Sequence, residues 1–176
     1  VEVWTKGGLV TCYVLSVMDL ANRQVACAGI TPHPDATWML QVGRNLTDAF
    51  SGFLREKRYL LMDRGGSFNA AFRGLLESAG IRPVRLPAQS PNCNAHLERF
   101  HGSFKREAAD RMIFLGEEHL RRVVAEYLEY YHRERNHQVL DGRIIQPALE
   151  VGAANGKVRR RQRLGGMLNY YYRDAA

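Results

Sequence analysis

Residues 59–68 read YLLMDRGGSF, a short apolar run that ends in Asp63 and is followed by two glycines. Four apolar or aromatic residues in succession before an acid are typical of a buried β-strand. Asp63 is therefore predicted to lie at the carboxyl end of a strand in the middle of the chain. The segments on either side of this strand determine the predicted fold and the chemistry open to Asp63.

A second acid, Glu98, follows 35 positions later in a segment with helical periodicity. The apolar residues of this segment predict a buried stripe of Leu97, Phe100, Phe104 and Ala108. Glu98 shares the adjacent helix face with Asn94 and Lys105. A lone Glu in a first helical turn is more often a surface residue that interacts with the helix dipole. Paired with an acid at a strand end, however, Glu98 can help to hold divalent cations that act on phosphodiesters.

The rest of the chain predicts alternating strands and helices. Strands are expected at 1–4, 9–18 and 24–30, joined by short turns typical of an antiparallel meander, and then at 59–62 and 84–86. Asp35 can cap a helix with an apolar face of Met39, Val42, Leu46, Ala49 and Phe50. Ser67 can cap a second helix, which ends at Gly80. We therefore expect an α/β fold with one mixed five-stranded sheet and helices on both faces.

Length and cysteine content favour one compact domain in a reducing compartment. A chain of 176 residues can bury a sizeable core without disulfides. Cys12, Cys27 and Cys93 are odd in number and form no Cys-x-x-Cys pair, which argues against structural zinc. No apolar run has the length of a membrane span, and no signal peptide is visible. A cytoplasmic protein without a membrane partner is expected.

The charge of the chain favours a polyanionic partner. The net charge is +7 and the isoelectric point is about 9.6, which suit nucleic acid, although a modest positive charge also serves solubility. Residues 1–150 are expected to form the core and 151–176 a basic, tyrosine-rich tail. The basic residues of this tail are Lys157, Arg159, Arg160, Arg161 and Arg163. Together with Tyr170, Tyr171 and Tyr172 they can contact nucleic-acid backbone and bases, or they form a solvated tail whose tyrosines pack on the core.

Three ordered motifs resemble one family. Residues 62–68, MDRGGSF, are similar to an Asp-x-Gly-x-x-Phe segment, and 90–100, SPNCNAHLERF, to the segment that carries the last acid of the family. Residues 131–140, YHRERNHQVL, are similar to a Tyr-Asn-x-x-Arg-x-His-x-x-Leu signature. Together they resemble the integrase catalytic core shared by retroviral integrases and the integrase-type bacterial transposases of the DDE superfamily.

The resemblance implies a ribonuclease H-like fold and a role in DNA integration or transposition. Its members use Asp, Asp and Glu to hold two Mg²⁺ or Mn²⁺ ions, and Asp63 and Glu98 match the second and third acids. The first Asp is expected a few residues before Val1, which makes this chain truncated within its first strand and impaired in catalysis. Glu2 is expected to be solvated, and Asp19 is expected to belong to a turn.

The resemblance also implies the partners. These are DNA, as transposon ends and target, and further copies of the chain. Asn94 and Lys105 share the face of Glu98, and Lys105 is expected to contact a DNA phosphate. Arg135 and His137 are expected to be structural or to contact DNA. Two alternatives stay open: a non-catalytic nucleic-acid-binding or domesticated integrase remnant, and a nuclease of the ribonuclease H-like superfamily.

Overall fold

The computed structural model describes residues 1–87, 94–148 and 155–173. Within them the strands are β1 (Glu2–Thr5), β2 (Gly8–Thr11), β3 (Tyr13–Met18), β4 (Val25–Thr31), β5 (Tyr59–Met62), β6 (Arg82–Arg85), β7 (Phe114–Leu115), β8 (Val158–Arg163) and β9 (Leu168–Arg173). The helices are α1 (Ala36–Leu46), α2 (Ala70–Ser78), α3 (Ala95–Glu107) and α4 (Glu117–Arg133). The predicted α/β class is confirmed.

The first strands are divided between two sheets. β1 pairs antiparallel with β2 and parallel with β7. Val1 and Cys12 extend the first ladder through two backbone hydrogen bonds of 2.8 and 2.9 Å. From Tyr13 onward the chain pairs with β4, with an irregularity between Leu15 and Ser16. The strand predicted at 9–18 is therefore interrupted at Cys12.

The described strands do not join into one five-stranded sheet. They form one three-stranded sheet and three two-stranded sheets. Among the described residues, β3 forms its ladder with β4 alone and β5 forms its ladder with β6 alone. β5 and β6 run parallel, with Met62 opposite Arg85. β8 and β9 form an antiparallel hairpin, an element that the sequence patterns did not predict.

The first predicted helix begins where expected but ends early. The carboxylate of Asp35 accepts a hydrogen bond from the backbone N–H of Trp38 at 2.7 Å, which caps α1. Phe50 does not belong to the apolar face, because its side chain is 88% exposed. The carboxylate of Asp48 accepts from the backbone N–H groups of Phe50 and Ser51, so that a turn replaces the last helical residues.

The second predicted helix has a different cap. The side chain of Asn69, rather than Ser67, accepts a hydrogen bond from the backbone N–H of Phe72 at 2.9 Å. Its predicted end at Gly80 is confirmed, since Gly80 has a φ of +77°, a conformation that glycine adopts at little cost. No helix of the described segments is long and apolar enough to cross a membrane.

The apolar side chains form two clusters. One lies between the first strands and the helices α3 and α4, and it includes Val3, Phe104 and Tyr127. The other lies under α1, α2 and β5, and it includes Met39 and Met62. The strand end that carries Asp63 and the helix that carries Glu98 are thus each anchored by buried residues.

Candidate active site and nucleic-acid interface

Asp63 lies at the carboxyl end of β5, as predicted. It follows Met62, which is 3% exposed, and is itself exposed to solvent. One carboxylate oxygen of Asp63, Oδ1, accepts a hydrogen bond from the backbone N–H of Gly65 at 2.7 Å. A Cβ atom on residue 65 would lie 2.9 Å from this oxygen, so glycine permits the close approach. The loop therefore orients the carboxylate through Oδ1.

The segment that follows β6 lies beside this loop. The backbone N–H of Leu86 donates to the carbonyl of Met62 at 2.9 Å, and Nε of Arg64 donates to the carbonyl of Leu86 at 3.0 Å. The carboxyl ends of both parallel strands therefore lie together, the position at which open α/β sheets commonly bind ligands.

Glu98 is exposed in the first turn of α3. The predicted stripe beneath it is confirmed, because Phe100, Phe104 and Ala108 are buried and Leu97 packs against the same cluster. The carboxylate of Glu98 affects the pKa of His101, which lies one helical turn further along. Burial lowers the pKa of His101, and the negative charge of Glu98 partly offsets that shift. Glu98 thus projects from a helix face that also carries the imidazole of His101.

The chemistry of the two acids fits a hard cation, but two ligands are few. Carboxylate oxygens are the ligands that Mg²⁺ prefers, and the ion is commonly bound by one or two carboxylates with waters and substrate phosphates. Asp63 and Glu98 supply such oxygens. Within residues 1–87, 94–148 and 155–173, no three His, Cys, Asp or Glu side chains are grouped to hold a metal.

Glu2 and Asp19, the two other acids considered in the sequence, lie outside the pair formed by Asp63 and Glu98 in the prediction. Glu2 is exposed on β1. Asp19 accepts a hydrogen bond from the backbone N–H of Ala21 at 3.0 Å, so it belongs to a turn as predicted. Its other oxygen forms an ion pair of 2.7 Å with Lys57. Asp19 is therefore engaged in the structure of the turn.

Asn94 and Lys105 lie at opposite ends of α3. Asn94 is the residue before the first helical turn, and its side chain does not cap the helix. Lys105 forms an ion pair of 2.9 Å with Asp110, in which the two side chains are 70% and 50% exposed. An exposed pair of this kind contributes little free energy, so the ammonium group can exchange its carboxylate for a phosphate.

Arg135 belongs to a partly buried polar network. Its guanidinium group donates to the carboxylate of Glu107 at 2.8 Å and lies 5.8 Å from the centre of the Tyr131 ring. The same carboxylate accepts from the hydroxyl of Tyr127 at 3.0 Å. These contacts connect the end of α4 to the end of α3. Of the two predicted roles of Arg135, structural support or DNA contact, they favour structural support.

His137 is 7% exposed and packs edge-on against Tyr131, with 4.6 Å between ring centres. Its Nε2 lies 2.8 Å from the carbonyl oxygen of Tyr131, and because a carbonyl only accepts, this nitrogen carries a proton. Burial is the main cause that lowers the pKa of His137. These contacts likewise favour a structural role.

The basic C-terminal segment is mostly an ordered hairpin. Leu168 is 5% exposed and belongs to the core. On the same face of the hairpin, Arg161 and Arg163 bind the carboxylate of Glu134, whose side chain is 1% exposed. Two of the predicted nucleic-acid contacts thus neutralise a buried acid. No sequence pattern signals this role of Glu134, since it stands among charged residues at a helix end.

The other basic residues of the segment face differently. Lys157 is exposed just before β8. Arg160 points to the opposite face from Arg161 and donates to the side chain of Asn169 at 2.8 Å. Tyr170 and Tyr172 stack within the hairpin, with 5.6 Å between their ring centres, whereas Tyr171 is 63% exposed. One face of the hairpin therefore packs inward and the other is open to solvent, and contact of this segment with nucleic acid stays a prediction.

Comparisons with known proteins identify the family of one part of the chain. Residues 79–144 match the family model of the integrase core domain, and the match includes Glu98, α3 and α4 but not Asp63. The resemblance seen in the sequence motifs is thereby confirmed for this part of the chain, which is similar to the integrase core domain. No curated protein matches the chain.

A solved structure supports the same fold. The chain is similar to one in the cryoEM structure of a simian T-cell lymphotropic virus intasome in complex with PP2A regulatory subunit B56 gamma. The TM-score is 0.50 and the identity 13%, over 99% of this chain and 64% of that chain. At this identity the likeness concerns the fold alone, which for an integrase core is ribonuclease H-like α/β.

Proposed function

We propose that this chain acts in DNA integration or transposition, through metal-dependent cleavage and joining of DNA strands by a DDE-type integrase core. The match of residues 79–144 to the integrase core domain carries the proposal. Asp63 and Glu98 are the catalytic acids in it. Its partners are the two DNA ends, the target DNA and further copies of the chain.

Asp63 and Glu98 would hold Mg²⁺ or Mn²⁺, which when bound activates an attacking oxygen and stabilises the leaving oxygen of an in-line displacement. The protein contributes the orientation of these acids. The N–H of Gly65 fixes Oδ1 of Asp63, which leaves Oδ2 for a ligand. The buried stripe of α3 holds Glu98 at the surface. Lys105, on the same helix, would hold a phosphate of the bound strand.

A second candidate is a nucleic-acid-binding remnant of an integrase that lacks catalysis. This candidate is favoured because, among the described residues, no three His, Cys, Asp or Glu side chains are grouped to hold a metal ion. The coding sequence ahead of Val1 separates the two candidates. An Asp a few residues upstream supports the enzyme, and any other residue at that position supports the remnant.

The main experiment uses protein expressed from the complete reading frame, incubated with supercoiled plasmid and labelled duplex ends in Mn²⁺. We expect strand cleavage and joined products. Glu98→Gln should abolish both, and Glu77→Gln, which changes an exposed acid on α2 in the same way, should preserve them. DNA binding without cleavage would support the remnant, and cleavage without joining would support a nuclease.

A further inference from the structure

A polar cleft of about 700 Å³ opens between the turn after β3, the helix α3 and the loop after α4. Arginines dominate its lining. Arg23 comes from the turn, Arg99 and Arg106 from α3, and Arg135 from the loop. Of these four arginines, Arg135 alone was predicted as a nucleic-acid contact from the sequence, and it is the one already paired with Glu107.

The remaining positive charge of the cleft is not compensated by acids. Arg23, Arg99 and Arg106 form no ion pair with any carboxylate in the described parts of the chain. No Asp or Glu of those parts lines the cleft. Three guanidinium groups on one concave surface raise the local concentration of anions.

Arg23, Arg99 and Arg106 lie on two elements with defined backbone geometry. Arg23 has a φ of +64°, and its N–H donates to the carbonyl of Asp19 at 2.8 Å, within a turn that the ion pair of Asp19 with Lys57 anchors. Arg99 and Arg106 are seven positions apart on α3 and so share one helix face. The arginines are thus presented by ordered elements rather than by a loose tail.

The Tyr131 ring lies within the field of guanidinium groups from all three elements. Burial is the main cause that raises the pKa of Tyr131, and the charges of Arg135, Arg23 and Arg99 oppose that increase. Side chains from the turn and from α3 therefore surround a common space, which is lined by an imidazole and a tyrosine ring.

We propose that this cleft is a binding site for phosphodiester groups of DNA, with Arg23, Arg99 and Arg106 as the residues that contact phosphate. This proposal rests on the proposed function, because DNA is taken as the source of the phosphate groups. Guanidinium groups suit the site because they donate two parallel hydrogen bonds to phosphate oxygens. Neither Asp63 nor Glu98 lines the cleft, so we assign it to the positioning of DNA and not to bond cleavage.

The test measures DNA affinity by fluorescence anisotropy with an unrelated duplex, without metal, over a series of salt concentrations. The cleft variant carries Arg23→Ala, Arg99→Ala and Arg106→Ala. The control carries Arg44→Ala, Arg58→Ala and Arg122→Ala, which removes the same charge from exposed arginines outside the cleft. Circular dichroism and thermal melting verify that both variants fold.

We expect the cleft variant to bind more weakly and to flatten the slope of log K against log salt by about 2 to 3, since each phosphate contact contributes about 0.9. The control should change the slope by less than about 1. Equal losses in the two variants would overturn the proposal, because only net charge would then matter. If the wild type binds DNA and the cleft variant binds with the same slope, the cleft proposal fails while the proposed function stands. If the wild type binds no DNA, both fail.

Inorganic phosphate distinguishes a nucleic-acid site from a site for the free ion. In an NMR titration, phosphate in the cleft should shift the ring resonances of Tyr131 in the wild type and leave them unchanged in the cleft variant. Replacing the three arginines by lysine should restore most of the salt slope, because charge is kept. A response of Tyr131 to phosphate with DNA binding unaffected by the cleft variant would overturn the assignment to DNA.

Discussion

Arg163 binds the buried carboxylate of Glu134 through two hydrogen bonds, from Nη2 at 2.8 Å and from Nε at 2.9 Å. Arg161 approaches the same carboxylate at 3.3 Å. Glu134 raises the pKa of both arginines. A buried carboxylate without partners is costly, so the end of α4 and the C-terminal hairpin stabilise each other.

Arg163→Met should therefore destabilise the protein. It leaves Glu134 with only the longer contact to Arg161, and we expect a loss of about 2 to 4 kcal/mol in the free energy of unfolding. Urea unfolding followed by circular dichroism measures it. Arg160→Met, on the opposite face of the hairpin, should cost less than about 1 kcal/mol. Equal effects of the two substitutions would show that Glu134 does not depend on Arg163.

The same contacts change how the basic segment is tested for DNA binding. Deleting the hairpin would remove Leu168 from the core, so lost binding would have two explanations. Lys157→Gln with Arg160→Gln removes charge from the open face and leaves the pair with Glu134 intact. We expect the slope of log K against log salt for duplex DNA to flatten by about 1 to 2, with unchanged melting temperature. An unchanged slope would mean that this face is only solvated.

The contacts of His132 predict how the free energy of unfolding depends on pH. Its Nε2 accepts a hydrogen bond from the backbone N–H of Val25 at 2.9 Å, so this nitrogen must be unprotonated. Burial is the main cause that lowers the pKa of His132. Because the unfolded side chain has a pKa of about 6.5, the unfolded state binds more protons as the pH falls below that value. His132 therefore contributes its full stabilisation of the folded state above about pH 6.5, and this contribution declines as the pH falls below that value.

Unfolding free energies measured between about pH 7.5 and 5 test this sign. His132→Gln should reduce the slope by up to about 1.4 kcal/mol per pH unit, the value for one proton. His33→Gln, at an exposed position, should leave the slope unchanged. Buried His137 titrates in the same direction, so some slope should persist in the His132 variant. A slope that His132→Gln does not alter would contradict the assignment.

The sequence predicts the local features of this protein well, because they depend on periodicity and capping. The stripe of α3, the cap at Asp35 and the end of α2 at Gly80 follow from a few neighbouring residues. The cap at Asn69 was missed because Ser67 suits the same role, and propensity does not choose between them.

Contacts between distant residues were not predictable in this way. The binding of Glu134 by the hairpin and the convergence of Arg23 with Arg99 join segments that are far apart in the chain. No periodic pattern records them. The position of Asp63 was predicted because a strand end is a local feature, whereas the bond to Gly65 required the loop geometry.

Metal binding should depend on both proposed acids. Millimolar Mn²⁺ should raise the melting temperature of protein expressed from the complete reading frame, because a ligand that binds only the folded state stabilises it. At tenfold excess over the dissociation constant the gain is about 1.4 kcal/mol, or roughly 3 to 6 °C. Asp63→Asn and Glu98→Gln should each abolish the shift, EDTA should reverse it, and Glu77→Gln should keep it. A shift that survives in both variants would remove Asp63 and Glu98 from the metal site.

Glu98 and Lys105 should separate catalysis from binding, although both lie on α3. Glu98→Gln keeps the volume of the side chain and the buried stripe beneath it, but replaces a charged oxygen ligand by an amide that binds Mg²⁺ poorly. Lys105→Ala leaves the acids unchanged and breaks only an exposed ion pair with Asp110, so stability should change by less than about 1 kcal/mol.

In protein expressed from the complete reading frame, Glu98→Gln should eliminate cleavage and joining while metal-free DNA affinity persists. Lys105→Ala should weaken DNA binding and lower the salt slope by about 1, with chemistry recovered at saturating DNA. Anisotropy and gel-based cleavage assays on the same protein samples measure the two properties. Near-normal cleavage by a folded Glu98→Gln variant in Mg²⁺ would disprove the integrase role of this residue, and an unaltered salt slope in Lys105→Ala would remove Lys105 from the DNA interface.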